Sequence, residues 1–313
     1  MIRSSRPAVD LRLGSAFGHT RDGQPLSYNR PPAPDLAEWI ARIYAVRLGI
    51  PDGETISCGL FTDTGCIRIQ LSGDWQVETR EGEERFGRGA LFFGPQSRLR
   101  SLRVSGEAVT IGVALRPSAC VPLLKSRLRD MVDRAVPSEA IGLSSDLLLS
   151  RLRLDDSPEE WLTAVEAVFR QLVAATPLRP DPITTRFEER ALADPTVSVT
   201  QAAREMGVDR RRLERLVNRD FGMPPKQVLK RARALDMAAH LRGVADENEA
   251  EALALRYYDE SHLIHEFIEL FGMPPRQFSA TPQPMFTLLL EARQARRLEM
   301  MNRLTPGERR PWQ

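Results

Sequence analysis

Hydrophobic residues change their spacing along the chain and so separate strands from helices. Across residues 55–115, short apolar or alternating runs such as Cys66-Ile-Arg-Ile-Gln-Leu71 and Val109–Leu115 are divided by turn residues. This pattern predicts short antiparallel strands, at a spacing typical of a small barrel or sandwich. Helical spacing precedes these strands at 35–46 and follows them at 143–154 and 157–176. We therefore expect a β domain with flanking helices.

Breaks in this pattern predict the domain organisation. Residues 1–27 are polar without periodicity, which predicts a mobile tail. The segment 177–182, Pro-Leu-Arg-Pro-Asp-Pro, is the clearest linker in the chain. It separates a domain at 28–176 from an all-α domain at 183–281, and an extra helix and tail follow at 282–313. The predicted fold class is α+β with two domains, the first a small antiparallel β barrel or sandwich.

A repeated motif indicates that the second domain contains a duplicated unit. Phe221-Gly-Met-Pro-Pro-Lys-Gln227 recurs 50 residues later as Phe271-Gly-Met-Pro-Pro-Arg-Gln277. In each copy Gly supplies a left-handed helix end, and Pro-Pro stops one helix and opens the next. Before the first copy, a short helix, a turn at Gly207 and a second helix capped by Asp209 give a helix-turn-helix layout.

The second copy repeats this layout, with a helix at 248–256, a turn at 257–258 and a second helix from Asp259 to Phe271. A helix at 225–242 joins the two units and spans about 27 Å. This length approaches the ~34 Å that separates successive major grooves on one face of DNA. Two adjacent grooves are therefore within reach of the two units.

Arginines on the second helix of the first unit are the strongest candidate for binding chemistry. On a helical wheel Leu213, Leu216, Val217 and Phe221 form the buried stripe, and the arginines lie elsewhere. The arginines are Arg210, Arg211, Arg212, Arg215 and Arg219. A solvated helix face is the ordinary explanation of a charge run, but such faces usually mix signs, and here only Glu214 and Asp220 intervene. The planar fork of Arg suits bidentate recognition of guanine in the major groove.

These motifs resemble the AraC/XylS family of bacterial transcription regulators over residues 183–280. The resemblance rests on Gly207–Arg215, on both Phe-Gly-Met-Pro-Pro copies and on Tyr257–Leu263. It implies two helix-turn-helix units that bind double-stranded DNA. The family pattern places base-facing positions at Arg211, Glu214 and Arg215 in the first unit. In the second unit it places them at Glu260, Ser261 and His265, next to which stands His262.

The N-terminal part, residues 28–175, more loosely resembles the cupin-type domain that precedes this module in many members of the family. Phe93-Gly-Pro95 and Val113–Pro117 are the best local matches. The resemblance implies that the domain senses a small-molecule effector, forms a homodimer, or does both. No His-x-His or Glu/His set stands on its strands, so we expect no metal and no cofactor.

Local charge distinguishes the two repeats. Residues 204–233 carry ten basic and four acidic residues, a net of +6, whereas residues 246–271 carry eight acidic and one basic, a net of −7. Because phosphate binding depends on Lys and Arg displacing counterions, we expect the first unit to carry most of the specific binding. The second unit then docks against the N-terminal domain or RNA polymerase. Protonation of His262 and His265 in mild acid would ease its repulsion from DNA, although surface histidines are usually inert.

Composition limits the remaining alternatives. The 313 residues are 42% hydrophobic and 27% charged, with net charge +2, and no run of about 18 apolar residues or signal sequence occurs, so we expect a cytoplasmic protein without a membrane partner. The three cysteines predict reduced structural thiols, with a redox sensor at Cys58 and Cys66 as the alternative. No catalytic cluster can be assigned, so we expect no enzyme. The main rival is a protein-interaction adaptor that has lost DNA binding, and a cupin-type enzyme ranks below it. The helix at 285–304 packs on the module, adds phosphate contacts or solvates the end of the chain.

Overall fold

A computed structural model describes residues 6–124, 127–246 and 260–313. The N-terminal domain contains the strands and four α-helices of the described residues. The strands are β1 (Gly14–Ser15), β2 (Tyr28–Arg30), β3 (Ile40–Gly49), β4 (Thr55–Leu60), β5 (Cys66–Thr79), β6 (Gly82–Phe86), β7 (Gly89–Phe93), β8 (Arg100–Leu115) and β9 (Ala135–Pro137). The helices are α1 (Pro117–Leu124), α2 (Leu128–Met131), α3 (Ser145–Leu149) and α4 (Pro158–Ala174). The predicted α+β class with two domains is confirmed.

Two long strands organise the sheet, because each pairs with several neighbours. Strand β8 pairs with β3 and β4, and β5 pairs with β6, β7 and β8, all antiparallel. The order β1-β3-β8-β5-β7-β9 does not return to its start in the described residues, so the sheet is open rather than a closed barrel. Register shifts between Gln70 and Asp74 mark where β5 bends.

The two faces of the sheet have different coverings. Ile43, Ile67 and Ile111 pack in one cluster with Trp161 and Phe169 of α4. The opposite face carries Tyr44, Val46, Trp75, Leu91 and Phe93, and it packs against Met285 and Leu288 from the last helix of the chain. The sheet therefore separates two cores, and only the second of them includes the C-terminal part of the protein.

The prediction of a helix at 35–46 was wrong. Only Pro34–Leu36 forms a short 3₁₀ turn, and Ile40–Gly49 forms β3. Because both faces of the sheet are covered, almost every residue of β3 is buried, and the alternation that identifies a strand is absent from its sequence. The apolar run was consequently mistaken for a helical stripe.

Two further expectations for this domain need correction. The predicted helix at 143–154 is limited to Ser145–Leu149. Residues 6–27 are not a free tail, since Leu13 and Leu26 are buried, β1 pairs with β3, and the amide of Ala8 donates to the carbonyl of Ser279 at 2.8 Å. The apolar residues of this segment show no periodicity, but they contact residues that are distant in the chain, so the sequence pattern did not predict an ordered segment.

The C-terminal domain is helical in all its described elements. Its helices are α5 (Pro182–Ala193), α6 (Val199–Glu205), α7 (Arg210–Phe221), α8 (Pro225–Leu241), α9 (Glu260–Phe271), α10 (Pro275–Ala280) and α11 (Pro284–Met300). The expected helix at 248–256, its turn and the cap at Asp259 lie outside the described residues. None of the helices in the described ranges is long and apolar enough to cross a membrane.

Helix α11 holds the two domains together. Of the three roles considered for it, packing is the one that the structure supports, since Phe286, Ala295 and Leu298 are buried against α8 and Met285 against the sheet. Glu291 is completely buried and accepts hydrogen bonds from Ser27 and Asn29 of the N-terminal domain. The following residues also fold back, and Trp312 is 3% exposed.

Candidate nucleic-acid interface

The first helix-turn-helix unit is built from local signals that the sequence carries. The Ser198 hydroxyl caps α6 by accepting from the amide of Gln201 at 3.1 Å, and Asp209 caps α7 by accepting from the amide of Arg212 at 2.8 Å. Gly207 and Gly222 both have φ of 70° and end the two helices in the left-handed conformation. The Gln201 side chain donates to Glu205 of the same helix at 2.9 Å.

A compact apolar core fixes the orientation of α7. Leu213, Val217 and Phe221 pack with Phe187 of α5 and Ala202 of α6, and the rings of Phe187 and Phe221 lie 5.5 Å apart in an edge-on arrangement. The predicted buried stripe is confirmed, since all four of its members are at most 8% exposed. The remaining faces of α7 are consequently turned towards solvent or towards the N-terminal domain.

The arginines of α7 fall into two groups. Arg210 pairs with Glu214 at 2.8 Å, and Arg219 pairs with Asp220 and, at 2.9 Å, with Asp181. The hydrogen bond that Arg219 donates to the Asp220 carboxylate is the main cause that raises the pKa of Arg219.

The other three, Arg211, Arg212 and Arg215, are exposed and form no ion pair within the described residues. An exposed guanidinium without an internal carboxylate keeps its donors available for phosphate or base edges. Arg210, Glu214 and Arg219, in contrast, already have internal partners. The structure therefore concentrates the available positive charge at 211, 212 and 215.

Helix α9 of the second unit has the predicted core but a different surface. Leu263, Phe267, Leu270 and Phe271 are buried, as expected, and the rings of Phe267 and Phe271 stack at 4.0 Å. His265 is exposed, whereas the side chains of Ser261 and His262 lie outside the described residues. Ile268 is 39% exposed on the same helix.

Acidic residues of α9 are paired with basic residues of α8. The Glu266 carboxylate accepts from Arg233 at 2.7 Å, and Glu269 pairs with Lys230. These contacts neutralise part of the charge difference between the two units. They also occupy two of the ten basic residues counted around the first unit.

The N-terminal domain contacts both units. At the second unit, Phe61 packs edge-on against Phe271 at 5.5 Å, and the amide of Leu99 donates to the carbonyl of Leu270 at 2.8 Å. The guanidinium of Arg231 in α8 lies 5.8 Å from the Phe61 ring, and its burial lowers the pKa of Arg231 to about 10. The described part of the second unit is thus held on the sheet domain.

A buried ion-pair network connects the domains through α11. Asp236 of α8 pairs with Arg293 and, at 2.8 Å, with Arg297. Arg293 also reaches Asp63 of the N-terminal domain at 3.2 Å. A second branch joins Glu188 of α5 to Arg296 at 2.8 Å and to Arg116, which follows β8, at 3.1 Å. The sequence did not predict these ion pairs, because the partners are distant in the chain.

A cavity of about 70 Å³ lies where the sheet, α8 and α11 meet. Its lining includes Tyr44 and Cys66 from the sheet and three cations, Arg42, Arg293 and Arg296. Its volume corresponds to about two water molecules.

A buried cation, Arg68, lies beside this cavity in the interior of the sheet. Arg68, Gly112 and Tyr44 are aligned across three adjacent strands, and a Cβ on Gly112 would lie 1.9 Å from the Tyr44 ring. The Arg68 guanidinium lies 4.9 Å from the Phe93 ring, and its Nε and Nη2 atoms have no hydrogen-bond partner within the described residues. No pattern in the sequence marks Arg68 as a buried cation.

The cysteines do not form a reactive cluster. Cys58, Cys66 and Cys120 are all buried and free of disulfides. Burial raises the pKa of the Cys58 thiol to about 12 and also raises the pKa of Cys120. A thiol becomes reactive as thiolate, so these environments favour structural thiols over a redox sensor. Within the described residues no group of three or more His, Cys, Asp or Glu side chains could hold a metal ion.

Comparison with protein families gives two matches. Residues 202–281 match a family described as a helix-turn-helix domain, and residues 28–137 match a family described as a domain of unknown function (DUF6597). No curated protein matches the chain.

Solved structures give remote likenesses. ToxT from Vibrio cholerae O395 is 9% identical, with 86% of this chain and 98% of that chain covered and a TM-score of 0.42. Wild-type Vibrio cholerae ToxT bound to an unsaturated fatty acid is also 9% identical, with 87% and 96% covered and a TM-score of 0.41. The AraC-like transcriptional activator CuxR is 17% identical, with 62% and 76% covered and a TM-score of 0.31.

Proposed function

We propose that this chain is a transcription regulator of the AraC type and that its first helix-turn-helix unit makes the main contacts with operator DNA. The observation that carries this proposal is the set of three exposed arginines at 211, 212 and 215, which have no ion pair among the described residues. Arg211 and Arg215 read base edges, and Arg212 binds phosphate. Arg210 and Glu214 hold each other, and Arg219 supports the end of the helix.

The second unit contributes less to specific binding. His265, Ile268 and Glu269 are its exposed described side chains on α9, and none of them supplies a permanent positive charge for phosphate. Ser261 and His262 remain candidates for one contact each with DNA. Docking of Phe271 on Phe61 supports the expectation that this unit lies against the N-terminal domain, with RNA polymerase as a further predicted partner.

The N-terminal domain is proposed to regulate DNA binding through α11. Asp63 is linked to Asp236 of α8 through Arg293 of this helix, and Arg296 of the same helix pairs with Glu188 of α5, so a displacement of α11 would disturb both α8 and α5. A small acidic effector in the cavity beside Arg42, Arg293 and Arg296 would compete with the carboxylates that now pair with these arginines. Because the cavity holds only about two waters, binding of a larger acid requires α11 to move away from the sheet. A homodimer remains a prediction for this domain.

The experiment is selection of a random duplex library on the purified full chain, followed by binding and footprinting of the selected duplex. Affinity should fall steeply between low and high salt and be much lower for a scrambled duplex. The footprint should show strong protection of one groove and weak protection of its neighbour. Equal protection of both grooves, with loss of both on mutation of α9, would contradict the asymmetric arrangement. Absence of binding at low salt would favour the adaptor.

A further inference from the structure

Helix α2 of the N-terminal domain is fixed against the end of α7. A Cβ on Gly222, the residue that ends α7, would lie 3.1 Å from the backbone nitrogen of Arg129 and 2.9 Å from the Val132 side chain. Leu128 is buried in the core of the N-terminal domain, whereas Val132 packs against the core of the first helix-turn-helix unit. Helix α2 is therefore anchored on both domains, and its exposed residues have a defined position beside α7.

Arginines from both domains line one cleft at this junction. The cleft has a volume of about 530 Å³, and α2 and the residue before it contribute Arg129 and Arg127, while α7 contributes Arg215, Asn218 and Arg219. Of these arginines only Arg219 forms an ion pair within the described residues, with Asp181 and Asp220. Arg127 and Arg129 are both exposed.

Several like charges around one opening repel each other, and an anion that enters the opening removes this cost. The negative end of the α7 dipole compensates only a fraction of the charge. Arg binds phosphate oxygens through two parallel hydrogen bonds, so a cleft of this composition suits a polyanion.

DNA is the polyanion that fits the position of the cleft. Arg215 belongs both to the cleft and to the exposed face of α7 that is proposed to enter the major groove. When a recognition helix lies in that groove, the phosphate backbone runs past its end. We propose that Arg127 and Arg129 of the N-terminal domain bind backbone phosphates next to the groove read by α7, so that the DNA-binding surface spans both domains. This proposal rests on DNA binding by the first helix-turn-helix unit.

The test compares the full-length Arg127→Ala/Arg129→Ala double variant with the parent chain on the selected duplex across a salt series. Loss of two phosphate contacts should reduce the slope of log K against log salt by about 1.8. The preference for the selected duplex over the scrambled one should stay unchanged, because phosphate contacts carry no direct sequence information. The matched control is Arg151→Ala/Arg153→Ala, which removes two exposed charges from the same domain outside the cleft.

The outcomes separate this proposal from the function on which it rests. If the parent chain binds no duplex, the proposed function fails. If the parent chain binds the duplex and the double variant has the same salt slope, Arg127 and Arg129 do not bind phosphate, but the proposed DNA-binding function is unaffected. Tighter binding of the duplex by the double variant would also refute the proposal, since α2 would then obstruct the groove. If the salt slope is unchanged but the double variant no longer binds an acidic protein partner, the cleft binds that partner rather than DNA. Equal thermal unfolding of both chains shows that the variant is folded.

Discussion

Asp236 of the helix that joins the two DNA-binding units lies 2.8 Å from Arg297 of the C-terminal helix, and both side chains are 3% exposed. Arg293 pairs with the same carboxylate and extends the contact to Asp63 of the N-terminal domain. One buried acid thus balances two cations from a helix that also covers the sheet. The joint between the N-terminal and C-terminal domains is therefore electrostatic as well as apolar.

Replacement of Asp236 by Ala should lower the free energy of unfolding by about 3–5 kcal/mol, because Arg293 and Arg297 both lose the buried carboxylate that they share. Urea titration followed by circular dichroism measures this change. The matched control is Glu269→Ala, which breaks the pair with Lys230 at an exposed carboxylate and should cost less than about 1 kcal/mol. An equal loss in the free energy of unfolding for the two variants would contradict the assigned role of Asp236.

Replacement of Arg211 or Arg215 by Ala should each weaken binding of the selected duplex by about 1–3 kcal/mol and relax the preference at one base position. The reason is that each exposed guanidinium loses its hydrogen bonds to a base edge. Titration of labelled duplex at constant salt measures the loss. His265→Ala, a change at an exposed residue of the second unit, should leave affinity nearly unchanged. A larger loss from His265→Ala than from either arginine would reverse the assignment of the two units.

Local chemistry explains which elements could be predicted from the sequence. The cap at Asp209, the left-handed Gly222 and the stripe of α7 depend on residues within four positions of each other. The same signals predicted the buried side of α9. Such contacts depend on the spacing of residues within one segment, so the helices, the cap and the buried stripe of the first helix-turn-helix unit could be predicted.

Long-range contacts explain what could not be predicted. Strand β3 shows no alternation because α4 covers one of its faces and α11 the other. Glu291 reads as a surface acid of a basic helix, yet it is buried because Asn29, Arg310 and Trp312 reach it from distant parts of the chain. The charge count of the second unit missed that Glu266 is paired with Arg233. Pairing of charges, unlike their number, depends on tertiary structure.

Asp133 gives a prediction for pH dependence. Burial alone would raise its pKa, but hydrogen bonds from Arg100 and Ser97 outweigh burial and hold the pKa below its usual value. The stabilisation by this carboxylate is therefore complete above the unfolded-state pKa of about 3.9 and is lost as the pH falls through the lower folded-state pKa. Asp133→Asn should destabilise the protein at pH 7, and the variant also tolerates the φ of 61° at this position.

Urea titrations of the parent and Asp133→Asn at several pH values test this linkage. The difference in unfolding free energy should be constant from pH 7 to pH 5 and should narrow only below about pH 4. Asp52→Asn, at an exposed aspartate, serves as the control and should show a small difference at pH 7. A difference that narrows between pH 7 and pH 5 would contradict a lowered pKa.

Replacement of Arg68 by Met should leave the free energy of unfolding unchanged or raise it. The Arg68 guanidinium is 3% exposed, and two of its nitrogen atoms lack a partner among the described residues, so an apolar side chain of similar length removes a desolvation cost and still fills the space beside Phe93. Arg100→Met is the matched control, because Arg100 is also buried but pairs with Asp133 at 2.9 Å, so its replacement should destabilise the protein. Urea titration of both variants without added ligand measures the change in the free energy of unfolding that each replacement causes. A loss of stability in Arg68→Met as large as that in Arg100→Met would show that Arg68 is satisfied within the folded chain and is not an unused cation beside the cavity.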